Sequence, residues 1–523
     1  MNGHHLSHLR RATLAAQLGA ALLGSTVFAT QAQAETLRVG IRELAGAQGN
    51  PYSGGIQSPG SFTWTAIYEQ LTQNGAGGVS QPLLATGWKN IDPTTWEFKL
   101  RPNVKFSNGE VFDARAVKAS YDFVLKTDTG KASSTGKNVG VYLSDVIVVD
   151  PVTIHIKTIR PAPLTPKLVQ PVTILPPKAL ADDGLTSFVS NARGTGPFVG
   201  EYRQERVIGT ANPNWRGQKT NVDRIEWSVL AEGAARAQAL LSNQIDIDVL
   251  LSRDSIPEAT KAGIKIVSKR ATRTLGLTFV TQRRSAPDRP SEPVTGPLAD
   301  VRVRQALNHA VDKDSIVQNI FGGGGAPATQ SAPSVVNGYN KNLKAYEYDP
   351  AKAKKLLADA GYPNGFDMEI RAIMTDTAIS QVYQAAVQDM TRIGIRVKLI
   401  PQQFPEWIDF YLKGTWPYEA FAFGHDLTTT LDASQAFLQY TSCKKNPPYY
   451  CNADEMKLVE QLEVEFDEPK RLALLGQALE MNRNNAPIVY LVEFDEVMAH
   501  SPKVEGFDHV NQWIAYEKIS LRK

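Results

Sequence analysis

Cysteine is the first scarcity. Two occur in 523 residues, and both lie in one short loop, CKKNPPYYC at 443–451. The spacing excludes a CxxC redox pair, and no neighbouring residue supplies the two further ligands of a zinc centre. Neither charge is in excess: 56 basic against 53 acidic residues leave a formal +3. That balance gives no electrostatic footprint for nucleic acid. Histidine is sparse too. Of eight, His4, His5 and His8 crowd the N-terminus, and His155, His309, His425, His500 and His509 show no HExxH spacing. There is no G-x-S-x-G elbow and no dinucleotide fingerprint. The glycine run at 322–325 lacks the Gly-Lys-Ser/Thr that would make it a phosphate loop. These absences weigh against an enzyme, and no cofactor or metal is implied.

Long apolar runs are also missing. The longest, LAAQLGAALLGSTVFA at 14–29, is interrupted by Gln17, Ser25 and Thr26, whereas a membrane span needs about 20 apolar residues. Arg10 and Arg11 precede it, and Ala32 and Ala34 give a small-x-small ending, so residues 1–34 read as a cleavable signal peptide. The arginine pair leaves ordinary secretion and the twin-arginine route both open. With no cysteine at the cleavage point, lipid attachment there is excluded, and a periplasmic protein is expected. In that oxidising compartment Cys443 and Cys451 are expected to close a small disulfide, worth about 2–3 kcal/mol in the chain-entropy account. The remaining chain, about 490 residues, exceeds one hydrophobic core, so two or three domains are expected.

What is present alternates between helix and strand. TLRVGI (36–41) reads as a strand, 63–72 as a helix, and WEFKLRP (96–102) and VIVVDPVTIHIKTI (146–159) as half-buried strands. FDARAVKASYDFVLK (112–126) has helical spacing with Asp113 at its cap, Asp312 caps a second helix, and Asp349-Pro350 starts a third. A helix over 377–393 stops at Gly394 and hands over to the strand IRVKLIPQ. Residues 282–298, rich in proline and charge, read as a surface excursion, and 321–333 as a flexible loop. Repeated helix-then-strand describes an α/β fold.

Several ordered segments resemble the extracytoplasmic solute-binding proteins of ABC importers, in the peptide- and nickel-binding class. They are IYEQLTQ (67–73), PLLATGWKNIDPTTWEFKLRPNVKFSNGEVFDARAVKASYDF (82–123), RGTGPF (193–198), NPNWRGQKTNVDRIEWSVL (212–230), ARAQALLSNQIDI (235–247), LADVRVRQALNHAVDKDSIVQNIF (298–321) and YDPAKAKKLLADAGYPNGF (348–366). The resemblance implies two α/β lobes around a ligand cleft, with an additional third domain. The first lobe would be discontinuous (35–75, 190–275 and 492–523), the extra domain 76–189, and the second lobe 276–491. It further implies a monomeric receptor that closes on a small peptide, or a peptide-like or opine-like polar solute, and delivers it unaltered to the membrane subunits of an ABC permease. A sugar, a metal chelate or a secreted hydrolase are the alternatives. A hinge is expected near RTLGLTFV (273–280).

Site candidates follow from the same resemblance. In peptide-binding relatives the stretch matching AFAFGHDLTTTLDASQAF (420–437) reads Gly-Trp-x-x-Asp near an Asp-Pro-Asp. Here Gly424 is kept, His425 replaces the tryptophan, and Thr430-Leu431-Asp432 replaces the second motif. Asp426 reads as an amine anchor or as a turn residue, and His425 as a ligand contact or a polar wall residue. For a ligand carboxylate, Arg371 is near the expected strand end, where Asp376 also falls. Asn50 and Tyr52 border the cleft in relatives. Trp407, Trp416 and Trp513 could stack on a ring or fill core, and Tyr490 completes the candidate set. The disulfide loop would stiffen the wall beside 420–437.

Overall fold

The computed structural model describes residues 35–45, 48–53, 60–374, 377–428, 430–441, 443, 448–511 and 513–522. The signal segment and Asp376 lie outside them. Among the described residues, no helix is long and apolar enough to cross a membrane.

Two strands are far longer than the rest, Lys265–Phe279 with 15 residues and Ile488–His500 with 13. Both are rich in buried β-branched and aliphatic side chains, as strands buried on two faces are. They pair antiparallel at the centre of a 12-stranded sheet. On one side follow Ala420–Asp426, Asp367–Ala372 and Arg396–Pro401; on the other Ile247–Asp248, Glu35–Ile41, Val222–Val229, Arg206–Ala211, Phe198–Arg203 and Asn191–Ala192. The central ladder is interrupted. Lys265–Arg270 pairs with Asp495–His500, and pairing resumes only at Thr274 opposite Glu493. The stretch expected to hinge, 273–280, is held on both edges from Thr274 to Thr278. The lapse therefore sits just ahead of it, at Ala271–Arg273.

A separate four-stranded antiparallel sheet orders Ala85–Asp92, Thr95–Leu100, Thr153–Thr158 and Leu143–Asp150. The run 146–159 is thus a hairpin rather than one strand. Asp150 accepts the Val152 N–H at 2.8 Å, and the intervening Pro151 fixes the turn. Helix Ala114–Lys126 packs on this sheet, with Asp113 accepting the Arg115 N–H at 2.8 Å. Asp312 and Asp349 cap their helices in the same way, and Thr377–Arg392 ends ahead of Gly394 at φ +95°. Two expectations fail. The helix at 63–72 is Ser61–Ile67, after which Thr72–Asn74 becomes a strand. Within 321–333, Gly325–Pro327 adds a strand to Ile488–His500, so close that a Cβ on Gly325 would lie 2.6 Å from the Glu493 carbonyl.

One apolar core joins Leu37, Val39 and Trp227 to Phe98, Tyr121 and Ile154 of the four-stranded sheet and its helix. Two others fill the part of the chain around 271–494.

Candidate functional site

The segment 420–437 starts as the strand Ala420–Asp426 against the crossing strand, and its described residues 427–428 and 430–434 lie outside helix and strand. Gly424 sits opposite Leu275, and a Cβ there would make only ordinary contact with Arg273. His425 is buried, with Nε2 2.9 Å from the Thr278 hydroxyl, and burial pushes its pKa down to about 3, so the imidazole is neutral. Asp426 accepts the Thr428 N–H at 2.8 Å and the Thr428 hydroxyl, an Asx turn that closes the strand end. The Thr428 hydroxyl meets Thr272 in the ladder lapse at 2.7 Å.

Asp432 is fully enclosed. Arg471 reaches it with two N–H groups at 3.2 and 2.9 Å, the Ser434 hydroxyl donates at 2.6 Å, and Asn337 donates at 3.1 Å. Burial alone would raise its pKa, but the charges of Arg471 and Lys167 and these hydrogen bonds hold it below the usual value. A carboxylate so saturated is an anchor for the loop. Leu431 before it has φ +47°, left-handed backbone that a branched side chain adopts only when neighbours enforce it.

Other candidates are absorbed by packing. Tyr52 is fully buried, its hydroxyl donating to the Thr173 carbonyl at 2.6 Å and its ring stacked on Phe123. Asn50 accepts the Tyr52 N–H at 3.0 Å. Tyr490 is buried and donates to Asn482 at 2.8 Å. Trp407 and Trp416 sit in one aromatic cluster with Tyr411, Phe421 and Phe423. Arg371 is paired with Glu369 at 3.0 Å and Glu406 at 2.6 Å and lies over the Tyr418 ring. A ligand carboxylate would have to displace those glutamates. Cys443 and Cys451 are bonded, with Cα atoms 4.6 Å apart.

Thr430 does face a hollow, of about 370 Å³. One wall comes from residues within 137–142 and 160–171, which flank the strands Leu143–Asp150 and Thr153–Thr158 in the chain. The other comes from Tyr411, Ser434, Gln435, Leu438 and Leu462. Leu164 and Leu168 of the first wall and Leu438 and Leu462 of the second give it an aliphatic part. Lys137 and Arg160 stand on the first wall, Arg160 over the Tyr142 ring, and neither has a carboxylate partner among the described residues. Glu463 lies on the second wall. Trp513 lines a different hollow of about 830 Å³ with Trp215 and Arg216, sharing no residue with the first. Among the described residues no three His, Cys, Asp or Glu side chains gather as metal ligands.

Two residues beside the first wall carry no motif. Gln170 is fully buried, and neither amide atom has a partner among the described residues. Lys167, 5 % exposed, donates to the Gly78 and Leu431 carbonyls, and burial lowers its pKa to about 8 against the pull of Asp432. Their one sequence signal is isolation: a lysine and a glutamine within the proline-bracketed apolar stretch PLTPKLVQP.

Compared with known proteins, residues 80–447 match the family model for bacterial extracellular solute-binding proteins, family 5 (middle region). The dipeptide-binding protein of Escherichia coli K12 is 25% identical over 525 residues, covering 94% of this chain and 93% of that one. Among solved structures, HbpA2 of Haemophilus parasuis superimposes with a TM-score of 0.80 at 24% identity, over 94% of this chain and 100% of the other. AgaA of A. tumefaciens R10, solved with agropinic acid, gives 0.73 at 22% identity, over 94% and 99%. These likenesses establish the two-lobed α/β fold.

Proposed function

Since the chain belongs to the bacterial extracellular solute-binding proteins of family 5, we propose that it is a periplasmic receptor for a small peptide or a peptide-like, opine-like polar solute. It would bind that solute without converting it and deliver it to the membrane subunits of an ABC permease. The domain limits we propose are those drawn above: 35–75 with 190–275 and 492–523, then 76–189, and 276–491. The observation that carries the reading is the central strand pair. Both long strands pass from one half of the sheet to the other, and the ladder between them lapses for three residues. Bending at Ala271–Arg273 breaks fewer hydrogen bonds than bending elsewhere along the pair, which makes it the natural hinge for closure.

Within the class, the site favours an acidic conjugate over a simple peptide amine. Asp426 and Asp432, the two carboxylates nearest the loop, are committed to a turn and to Arg471. Lys137 and Arg160 offer positive charge to the hollow and outnumber Glu463, its one lining carboxylate among the described residues. AgaA, which holds agropinic acid, fits that chemistry. Thr430, Gly424 and Asn50 remain our candidate contacts from the sequence, joined by Arg160 and Lys137.

The test is mass spectrometry of small molecules released when freshly purified protein is denatured, followed by thermal shift with the molecule found. An acidic peptide-like solute that raises the melting point and is recovered intact supports the reading. A solute that is chemically converted on incubation overturns it.

A further inference from the structure

The side chain of Lys167 joins the two walls of the hollow. Lys167 stands between Leu164 and Leu168 of the first wall, and its ammonium reaches across to the Leu431 carbonyl at 3.2 Å, next to Thr430 of the second. On its own side it is held by the Gly78 carbonyl. Gly78, at φ +70° in the turn between Thr72–Asn74 and Ser80–Pro82, brings backbone against backbone. A Cβ there would lie 2.2 Å from the Leu431 oxygen. That oxygen also accepts the Asn337 N–H at 2.9 Å. The left-handed Leu431 is therefore held from both sides of the junction, by Asn337 of its own half and by Lys167 and Gly78 of the other.

We infer that Lys167 is a positioning residue that locks the walls of the hollow together by capturing the Leu431 carbonyl, so that the segment 76–189 takes part in solute closure. An ammonium shared between two carbonyls is a charge-assisted contact, the stronger kind of hydrogen bond. If the walls part, Lys167 returns to water and Leu431 loses one of the two donors on its carbonyl. The joined arrangement thus has its own energetic preference, separate from any solute. The inference rests on the receptor reading for its purpose, though not for its measurement.

Spin labels at Val149→Cys and Leu412→Cys, on residues 51% and 67% exposed, place one probe on each side of the junction. Cys443 and Cys451 are bonded to each other and take no label. Pulsed dipolar distances are measured on the mature chain carrying Lys167, Lys167→Met or Gly78→Ala. With Lys167 a short-distance population is expected. In Lys167→Met the ratio of short to long should fall about tenfold, the worth of one charged hydrogen bond. Gly78→Ala should act in the same direction by pushing on Leu431. A purely structural lysine would lower the melting point of the variant and leave the ratio among folded molecules unchanged. A ratio within twofold of the parent in either variant, or a parent with no short-distance population, overturns the inference. Failure to find a released solute would instead fault the receptor reading and leave these distances interpretable.

Discussion

Replacing Glu455 by glutamine should stabilise the protein at neutral pH, by an amount that grows as pH rises. Glu455 is fully buried in the first turn of the helix Ala453–Leu462, just after Cys451. Asn482 donates to both its oxygens at 3.1 Å and the Tyr450 hydroxyl lies at 3.4 Å. Burial still dominates and lifts its pKa to about 8. In the unfolded chain the group titrates near the ordinary value of about 4.3, so between the two values the folded state holds the extra proton. Stability is thus lost as pH climbs from about 4.5 towards 8. At pH 7 the loss is about 3 kcal/mol, an upper figure because the buried site relaxes. Glutamine has nothing to titrate and keeps a carbonyl for Asn482. The assay is the melting midpoint of both proteins from pH 5 to 8.5. A gap of several degrees should open in favour of Glu455→Gln as pH rises. A gap that stays constant across the series would refute the reasoning, because only a titrating Glu455 makes it grow. Glu493, also buried and raised, bends both curves alike and drops out of the difference.

Lys313 acts in the opposite sense. Its pKa is depressed to about 7 by burial and by the charge of Arg483, so the unfolded chain binds the extra proton and stability gains from this group as pH rises from about 7; Lys313→Met should flatten that gain in a melting series extended to about pH 9.5. Asp432→Asn leaves the buried Arg471 with only the half-exposed Glu468 as counter-ion and should cost about 1–3 kcal/mol, seen as a fall in the denaturant midpoint at pH 7. Replacing both Cys443 and Cys451 by alanine should lower stability by about 2–3 kcal/mol relative to the oxidised protein, and reduced wild type should match the double variant in the same denaturant titration. Asp426→Asn keeps an oxygen for the Thr428 N–H and should change the affinity of the released solute less than about threefold, against a loss of 2–5 kcal/mol for a true charge anchor; calorimetry decides between them.

What could be read from the sequence was what residues settle within a few positions of themselves. The caps at Asp113, Asp312 and Asp349 are bonds to an N–H two or three residues on. The hairpin at 143–158 escaped because alternation continues through Asp150-Pro151, and only the Asx turn breaks it. Gly325–Pro327 escaped because a strand seated on another backbone needs no side-chain pattern. The site was less legible for the same reason. Tyr52 looks like a cleft aromatic in sequence, yet its hydroxyl is satisfied by a carbonyl 121 residues away. Asp432 looks like a ligand anchor, yet its partner Arg471 arrives from a helix 39 residues on. A polar side chain near a cleft reads as functional until the group that neutralises it is known.

Those neutralising partners bear on how closure can work. A sheet continuous through two antiparallel strands cannot slide one half past the other, because every ladder bond on Lys265–Phe279 would break together. Rotation about the three-residue lapse at Ala271–Arg273 spares the ladder to Ile488–His500 and strains only the pairing of Arg273 with Asp426, so the receptor reading expects a hinge in preference to a shear. A hinge of that kind fixes the path of closure but supplies little preference for its end point. The preference has to come from contacts made only when the halves meet. Two contacts of that kind are proposed: Thr428 bonds Thr272 in the lapse itself, and Leu431 meets Gly78 and Lys167 across the junction. Under the proposed reading, a solute that displaced Thr430 would act on Asp432, which Arg471 holds, on the Thr428–Thr272 contact and on the Lys167 contact.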